Sequence, residues 1–63
     1  MARTADDIIT AVTEARSDRQ ARAMLDNVRN RDGLEAMADL LYIEYVGVGS
    51  DTLRKRIVSE ARA

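Results

Sequence analysis

This chain of 63 residues predicts an all-α fold, a compact four-helix domain whose C-terminal half alternates helix, extended segment and helix. Three observations carry that reading. A third of the residues are charged, proline is absent and glycine is scarce, while Ala, Leu, Arg, Asp and Glu abound, which is the composition of a helical domain. Four times a small polar residue is followed, about three positions on, by a side chain able to return a hydrogen bond or complement the helix dipole, the signature of a helix start. Between these signals the apolar residues fall at helical spacing.

The first start, Thr4 with Asp7, opens a helix over 5–15 that places Ile8, Val12 and Ala15 on one face, with Ala5 and Ala11 beside them and Ile9 off to the side. Ser17 with Gln20 opens the second, 18–30. Its stripe is Ala21, Met24, Leu25 and Val28, and its flank of Asp18, Arg22, Asp26 and Arg29 alternates in sign as a solvated face does. Asp32 with Glu35 opens the third, 33–42. This helix is apolar on more than one side, with Leu34, Met37, Ala38 and Leu41 on one face and Leu40 on another, which places it at the centre of the bundle. Met24 and Met37 are most simply core filler.

Residues 43–49 read differently. Tyr42-Ile43-Glu44-Tyr45-Val46 alternates in polarity and is rich in β-branched and aromatic residues, so an extended segment is expected, closed by a turn at Gly47 or Gly49. Ser50-Asp51 opens the fourth helix, 51–62, with Asp51 at the positive end of the dipole. That helix buries Leu53, Ile57 and Ala61, has Val58 at the edge, and turns Lys55, Ser59 and Arg62 outward. No repeat, low-complexity run or linker divides the chain, so a single domain over 1–63 is expected.

From Leu34 to Val58 the order of features resembles the SAP motif and its helix-extended-helix relatives, which include the Rho N-terminal module and LEM domains. The residues that carry the resemblance are Leu34, Ala38, Ile43, Gly47, Leu53, Arg56 and Ile57, with one extra residue between Gly47 and Leu53. Ala21 to Leu25, leading into this stretch, looks like the helical extensions that precede such motifs in small actinobacterial proteins. Members of the group commonly bind DNA with little sequence preference, and LEM-type members bind a protein, so the resemblance implies a binding module. Ser50 stands where DNA-binding members usually carry a lysine, and it is followed by Asp51.

Composition narrows the chemistry. Histidine and cysteine are both absent, which removes the usual general base near neutral pH, thiol nucleophiles and the common metal clusters. Ser17, Ser50 and Ser59 have no histidine to activate them. Gly47-Val48-Gly49-Ser50 lacks the lysine of a phosphate-cradling loop, and Asp6-Asp7 is explained by the helix dipole. The chain therefore offers no catalytic constellation, and no enzyme, cofactor, metal or small-molecule substrate is expected. Ten basic and eleven acidic residues leave a formal net charge of −1, so any nucleic-acid contact rests on local patches. The apolar runs are far too short for a membrane span, Met1-Ala2-Arg3 leads into acidic residues, and a soluble cytoplasmic protein is expected. A domain this small buries only about 60% of the surface of its unfolded chain, so a partner or a very regular core would help it.

Two functions from different classes follow. In the first, a DNA-binding module contacts phosphate through Ser50, Arg54, Lys55 and Arg56 at the start of the fourth helix, with the second helix as a further contact. Arg54-Lys55-Arg56 forms a collar around the helix and not a stripe, and Arg56 is spaced to pair with Glu60 if the helix is merely solvated. In the second, a protein partner or a second copy of the chain covers Ile9, Leu40, Tyr42 and Tyr45, although such tyrosines more often close a small core with the hydroxyl at the surface.

Overall fold

A computed structural model describes residues 4–63. Four helices, α1 (Ala5–Glu14), α2 (Asp18–Asp26), α3 (Arg31–Leu40) and α4 (Ser50–Ala61), make up the all-helical domain that the composition and spacing predict. Its radius of gyration, 10.3 Å, is close to the roughly 10.6 Å expected of a folded chain this long. No strand is present among the described residues.

The helix starts show which polar residue wins each cap. Thr4 and Asp7 form the expected capping box: the Asp7 amide donates to Thr4 Oγ1 at 3.2 Å, and the Thr4 amide donates to Asp7 Oδ2 at 3.4 Å. Ser17 accepts from the Gln20 amide at 3.1 Å, while Gln20 Oε1 reaches back to the amide of Arg16 at 2.8 Å. The third start is corrected. Asn30 is the cap, accepting from the Asp32 amide at 2.9 Å, so α2 ends at Asp26, four residues before the predicted boundary, and α3 begins at Arg31, two residues before it. The fourth is corrected too. Gly49 is the N-cap without a side-chain bond, and Ser50 is already helical, its hydroxyl accepting from Arg31 at 3.1 Å.

Val12, Ala21, Leu25, Leu34, Met37, Ala38, Leu53, Ile57 and Val58 form the core, and Ile8, Met24, Val28, Leu41 and Ile43 pack against it. The helix pairing differs from the expectation that α3 lies at the centre. Both α1 and α4 pack on every other helix, whereas no Cα of α2 comes within 8 Å of a Cα of α3. The bundle is thus a rhombus whose short diagonal is α1 with α4. Its two edges, α2 and α3, are held on opposite sides.

Neither α1 nor α2 carries a basic residue in its last turn, and backbone turns close their ends only in part, with the Ala15 amide on the Val12 carbonyl and the Val28 amide on that of Leu25. Arginines distant in sequence supply the remaining partners. Arg62 Nη1 donates to the carbonyls of Val12, Thr13 and Ala15 at 3.1, 3.3 and 2.6 Å, while its Nε pairs with Asp18 at 2.6 Å. This corrects its outward placement in the sequence pattern. Arg54 donates to the carbonyls of Leu25 and Val28 at 3.2 and 3.0 Å and pairs with Asp51. Arg31 reaches the Tyr45 carbonyl at 2.9 Å, Ser50 and Glu35, which ties the α3–α4 connection to the start of α3. That connection turns at Gly47, whose φ of 75° and the Val48 amide bond to the Tyr45 carbonyl are the marks of a type II turn.

These charged bonds set a testable cost. Removing the fork in Arg62→Ala is expected to destabilise the domain by about 1.5–3 kcal/mol in urea denaturation. Arg62→Lys should recover less than half of that, because an ammonium cannot span Asp18 and three carbonyls at once. A lysine variant as stable as the parent would show that the fork is not what holds the end of α1.

Candidate functional site

The basic triplet on α4 is dispersed by its helical geometry. Arg54 turns inward, its side chain only 16% exposed, and its guanidinium donors are spent on Leu25, Val28 and Asp51. Ser50 is half-buried, with its hydroxyl held by Arg31. Lys55 and Arg56 are exposed, and neither makes an ion pair among the described residues, so Arg56 is not spent on Glu60. The two point to different sides. Lys55 shares a flank of α4 with Asp51 and Arg62, four and seven residues away. Asp51 holds the arginine that caps α2, and Arg62 pairs with Asp18 of α2, so this flank faces α2. Arg56 instead lines a groove of about 230 Å³ with Tyr42, Ile43, Ser59 and Glu60.

On α2 and its flanks, Arg16, Arg19, Arg22 and Arg29 are all exposed and make no ion pair among the described residues. The sequence pattern sets Asp18 and Asp26 against them, but Asp18 is drawn to Arg62, 44 residues away. Asp26 remains, lining a shallow groove of about 440 Å³ with Asp18, Arg19, Arg22 and Ala23, and Glu14 is exposed at the end of α1. The opposite edge has the other sign. Asp32 and Asp39 on α3 and Glu44 beyond it are exposed and unpaired among the described residues, and Arg31, the one cation of α3, is taken by Glu35. A chain of net charge −1 is therefore polarised, basic along α2 and acidic along α3.

The residues expected at a partner surface also separate. Ile9 is half-buried against the core. Tyr45 is half-buried as well, and its hydroxyl is pushed above the ordinary tyrosine pKa, first by the Asp39 carboxylate, then by burial, with Glu35 and Glu44 adding to it. Leu40 and Tyr42 are exposed, and they are joined by Val46, which the alternating pattern did not single out.

Tyr42 is held in an unusual way. α3 ends in a Schellman motif: the Ile43 amide donates to the Ala38 carbonyl at 2.8 Å and the Tyr42 amide to the Asp39 carbonyl at 3.2 Å. That motif needs a left-handed residue where glycine is usual, and here it is Tyr42, with φ 58° and the residue 97% exposed. Left-handed backbone costs a side-chain-bearing residue about 1–2 kcal/mol, and a fully exposed ring returns no packing to offset it.

Among the described residues no group of three or more acidic, histidine or cysteine side chains is placed to hold a metal ion, and no helix is long and apolar enough to cross a membrane. No family model, curated protein or solved structure matches the chain. The candidate site therefore rests on the exposed arginines of α2 and its flanks with Lys55, and on the exposed Leu40, Tyr42 and Val46, of which Tyr42 lines a groove with Arg56.

The strain at Tyr42 is measurable. Tyr42→Gly is expected to stabilise the dilute protein by about 0.5–1 kcal/mol, a rise of several degrees in Tm, whereas Tyr42→Ala should change Tm little because alanine keeps the left-handed penalty. Equal effects of the two substitutions would remove the backbone explanation.

Proposed function

We propose that this chain is a small, non-enzymatic, cytoplasmic module that binds DNA through phosphate contacts with little sequence specificity. The observation that carries the reading is the excess of basic charge at α2, where Arg19 and Arg22 on the helix and Arg16 and Arg29 in the flanking connections stand exposed and without ion pairs among the described residues, Asp18 being turned to Arg62 and Asp26 left as the acidic residue of their groove. Exposed guanidinium groups meet phosphates without reading bases, and their binding is driven by counterion release. Lys55 lies on the α4 flank that faces α2 and adds to this charge. The resemblance of Leu34–Val58 to DNA-binding helix-extended-helix motifs supports the same class of ligand. It does not support the same contacts, since Ser50 and Arg54, the expected phosphate ligands at the start of α4, are engaged inside the domain. A second reading, a protein-interaction module, is favoured by the exposed Leu40, Tyr42 and Val46 near the acidic edge.

Titration into a short fluorescent duplex tests the first reading. With about four phosphate contacts, affinity should fall about a hundredfold between about 50 and 200 mM salt. Arg19→Glu with Arg22→Glu should abolish measurable binding, Lys55→Glu should weaken it several-fold, and Arg56→Glu, on the other side of α4, should leave it nearly unchanged. No binding at low salt, or Arg56→Glu as damaging as Lys55→Glu, would refute this use of the surface.

A further inference from the structure

We propose that Arg62 is a positioning residue for the phosphate-binding surface at α2: by holding the Asp18 carboxylate at the end of α1, it leaves Arg22 free to take a phosphate. The inference rests on the DNA-binding reading and adds to it a residue that itself touches no nucleic acid.

Helical spacing sets Asp18 against Arg22. Both lie on α2, four residues apart, with the acid nearer the N-terminus, and that order is the favoured one for an ion pair along a helix. They also line one groove, together with Arg19, Ala23 and Asp26. Left to themselves the two would pair, and Arg22 would meet a phosphate with its charge already offset. The structure shows a different pairing. Asp18 Oδ1 accepts from Arg62 Nε at 2.6 Å, and Arg22 makes no ion pair among the described residues.

Arg62 suits this task because it is fixed. Its Nη1 donates to the carbonyls of Val12, Thr13 and Ala15 at 3.1, 3.3 and 2.6 Å, and its side chain is 20% exposed against 78% for Asp18. A planar fork can serve carbonyls and a carboxylate together, so this cation stays at the end of α1 when a phosphate approaches. The other acid of the groove is a weaker competitor. Asp26 follows Arg22 by four residues, the less favoured order, and the two are not paired. Arg19 and Arg22 are thus presented with one acid in their groove that no cation offsets.

The test is a double-mutant cycle on the affinity of the full chain for the short fluorescent duplex, with helical circular dichroism recorded for every variant. Asp18→Asn alone should change affinity at about 50 mM salt by less than about twofold, because Arg62 already offsets that carboxylate. Arg62→Gln keeps an amide donor for the end of α1 but no charge for Asp18. It should lose about tenfold, the value of one phosphate contact at this salt, and its salt dependence should flatten by about one contact. Adding Asp18→Asn to Arg62→Gln should recover most of the loss, although it restores nothing at the end of α1. An Arg62 that only supports the fold would show no such recovery.

Failure of the rescue, or an equal gain from Asp18→Asn with and without Arg62, overturns the proposal. If Arg62→Gln does not fold, the parent background decides: Arg22→Ala should cost about tenfold while Asp18→Asn stays within about twofold. An Asp18→Asn that tightens binding as much as Arg22→Ala weakens it overturns the proposal there. A parent that binds no duplex at low salt refutes the DNA-binding reading and this inference with it, whereas a parent that binds without coupling between Arg62 and Asp18 refutes the inference alone.

Discussion

The fold depends on carbonyl groups that its helices cannot satisfy themselves. An α-helix leaves its last carbonyls without partners, and the common local remedy is a basic residue or a glycine in the last turn. α1 and α2 have neither, and the next residues, Ala15 and Asn27, only partly close the ends. Arg62 and Arg54, both on α4 or at its end, bring charge-assisted donors to those carbonyls from across the domain. α4 therefore serves as a clasp as well as a core helix. Its inner face buries Leu53, Ile57 and Val58, and its two inward arginines fix where α1 and α2 stop. Arg31 does the same for the irregular segment that precedes α4, so among the described residues no buried side-chain polar atom is left without a partner.

Much of this architecture was legible in the sequence, because helices declare themselves locally. Capping residues and the spacing of Val12, Ala21, Leu25, Leu34, Met37, Leu53 and Ile57 are properties of windows a few turns long, and all seven are fully buried. Asn30, a favoured capping residue two positions from the amide it binds, takes the cap of α3 from Asp32 by a local bond, whereas at α4 Gly49 is the cap and the Ser50 hydroxyl is drawn to Arg31, 19 residues away. The extra apolar face of α3 does not bring an extra neighbour, because Leu40 is exposed and α1 and α4 hold the centre.

The candidate site was less legible because a local window does not show what a charge pairs with. A run such as Arg54-Lys55-Arg56 gives charges but not their commitments. One arginine became structural, the lysine joined the edge of α2, and the other arginine faced the tyrosine groove. The α2 flank read as balanced because Asp18 stands in register with Arg22, and its true partner, Arg62, is 44 residues away. The left-handed backbone of Tyr42 carried no signal. Glycine or asparagine would have announced a left-handed cap, but a tyrosine there is visible only in the backbone.

The clasp formed by Arg62 also bears on how the chain reaches this state. It joins residues near one end of the described chain to Val12, Thr13, Ala15 and Asp18, so its bonds close a loop of roughly the whole domain. Helix formation within α1 to α3 is local and fast, but the carbonyls of Thr13, Ala15 and Val28 gain their arginine donors only when α4 docks. Docking thus supplies the last core layer and the missing end partners in one step. A ribosome-bound chain that has not yet released α4 would hold nascent helices without a closed core, and amide exchange in α1 and α2 would then report the opening of α4 and not their own fraying.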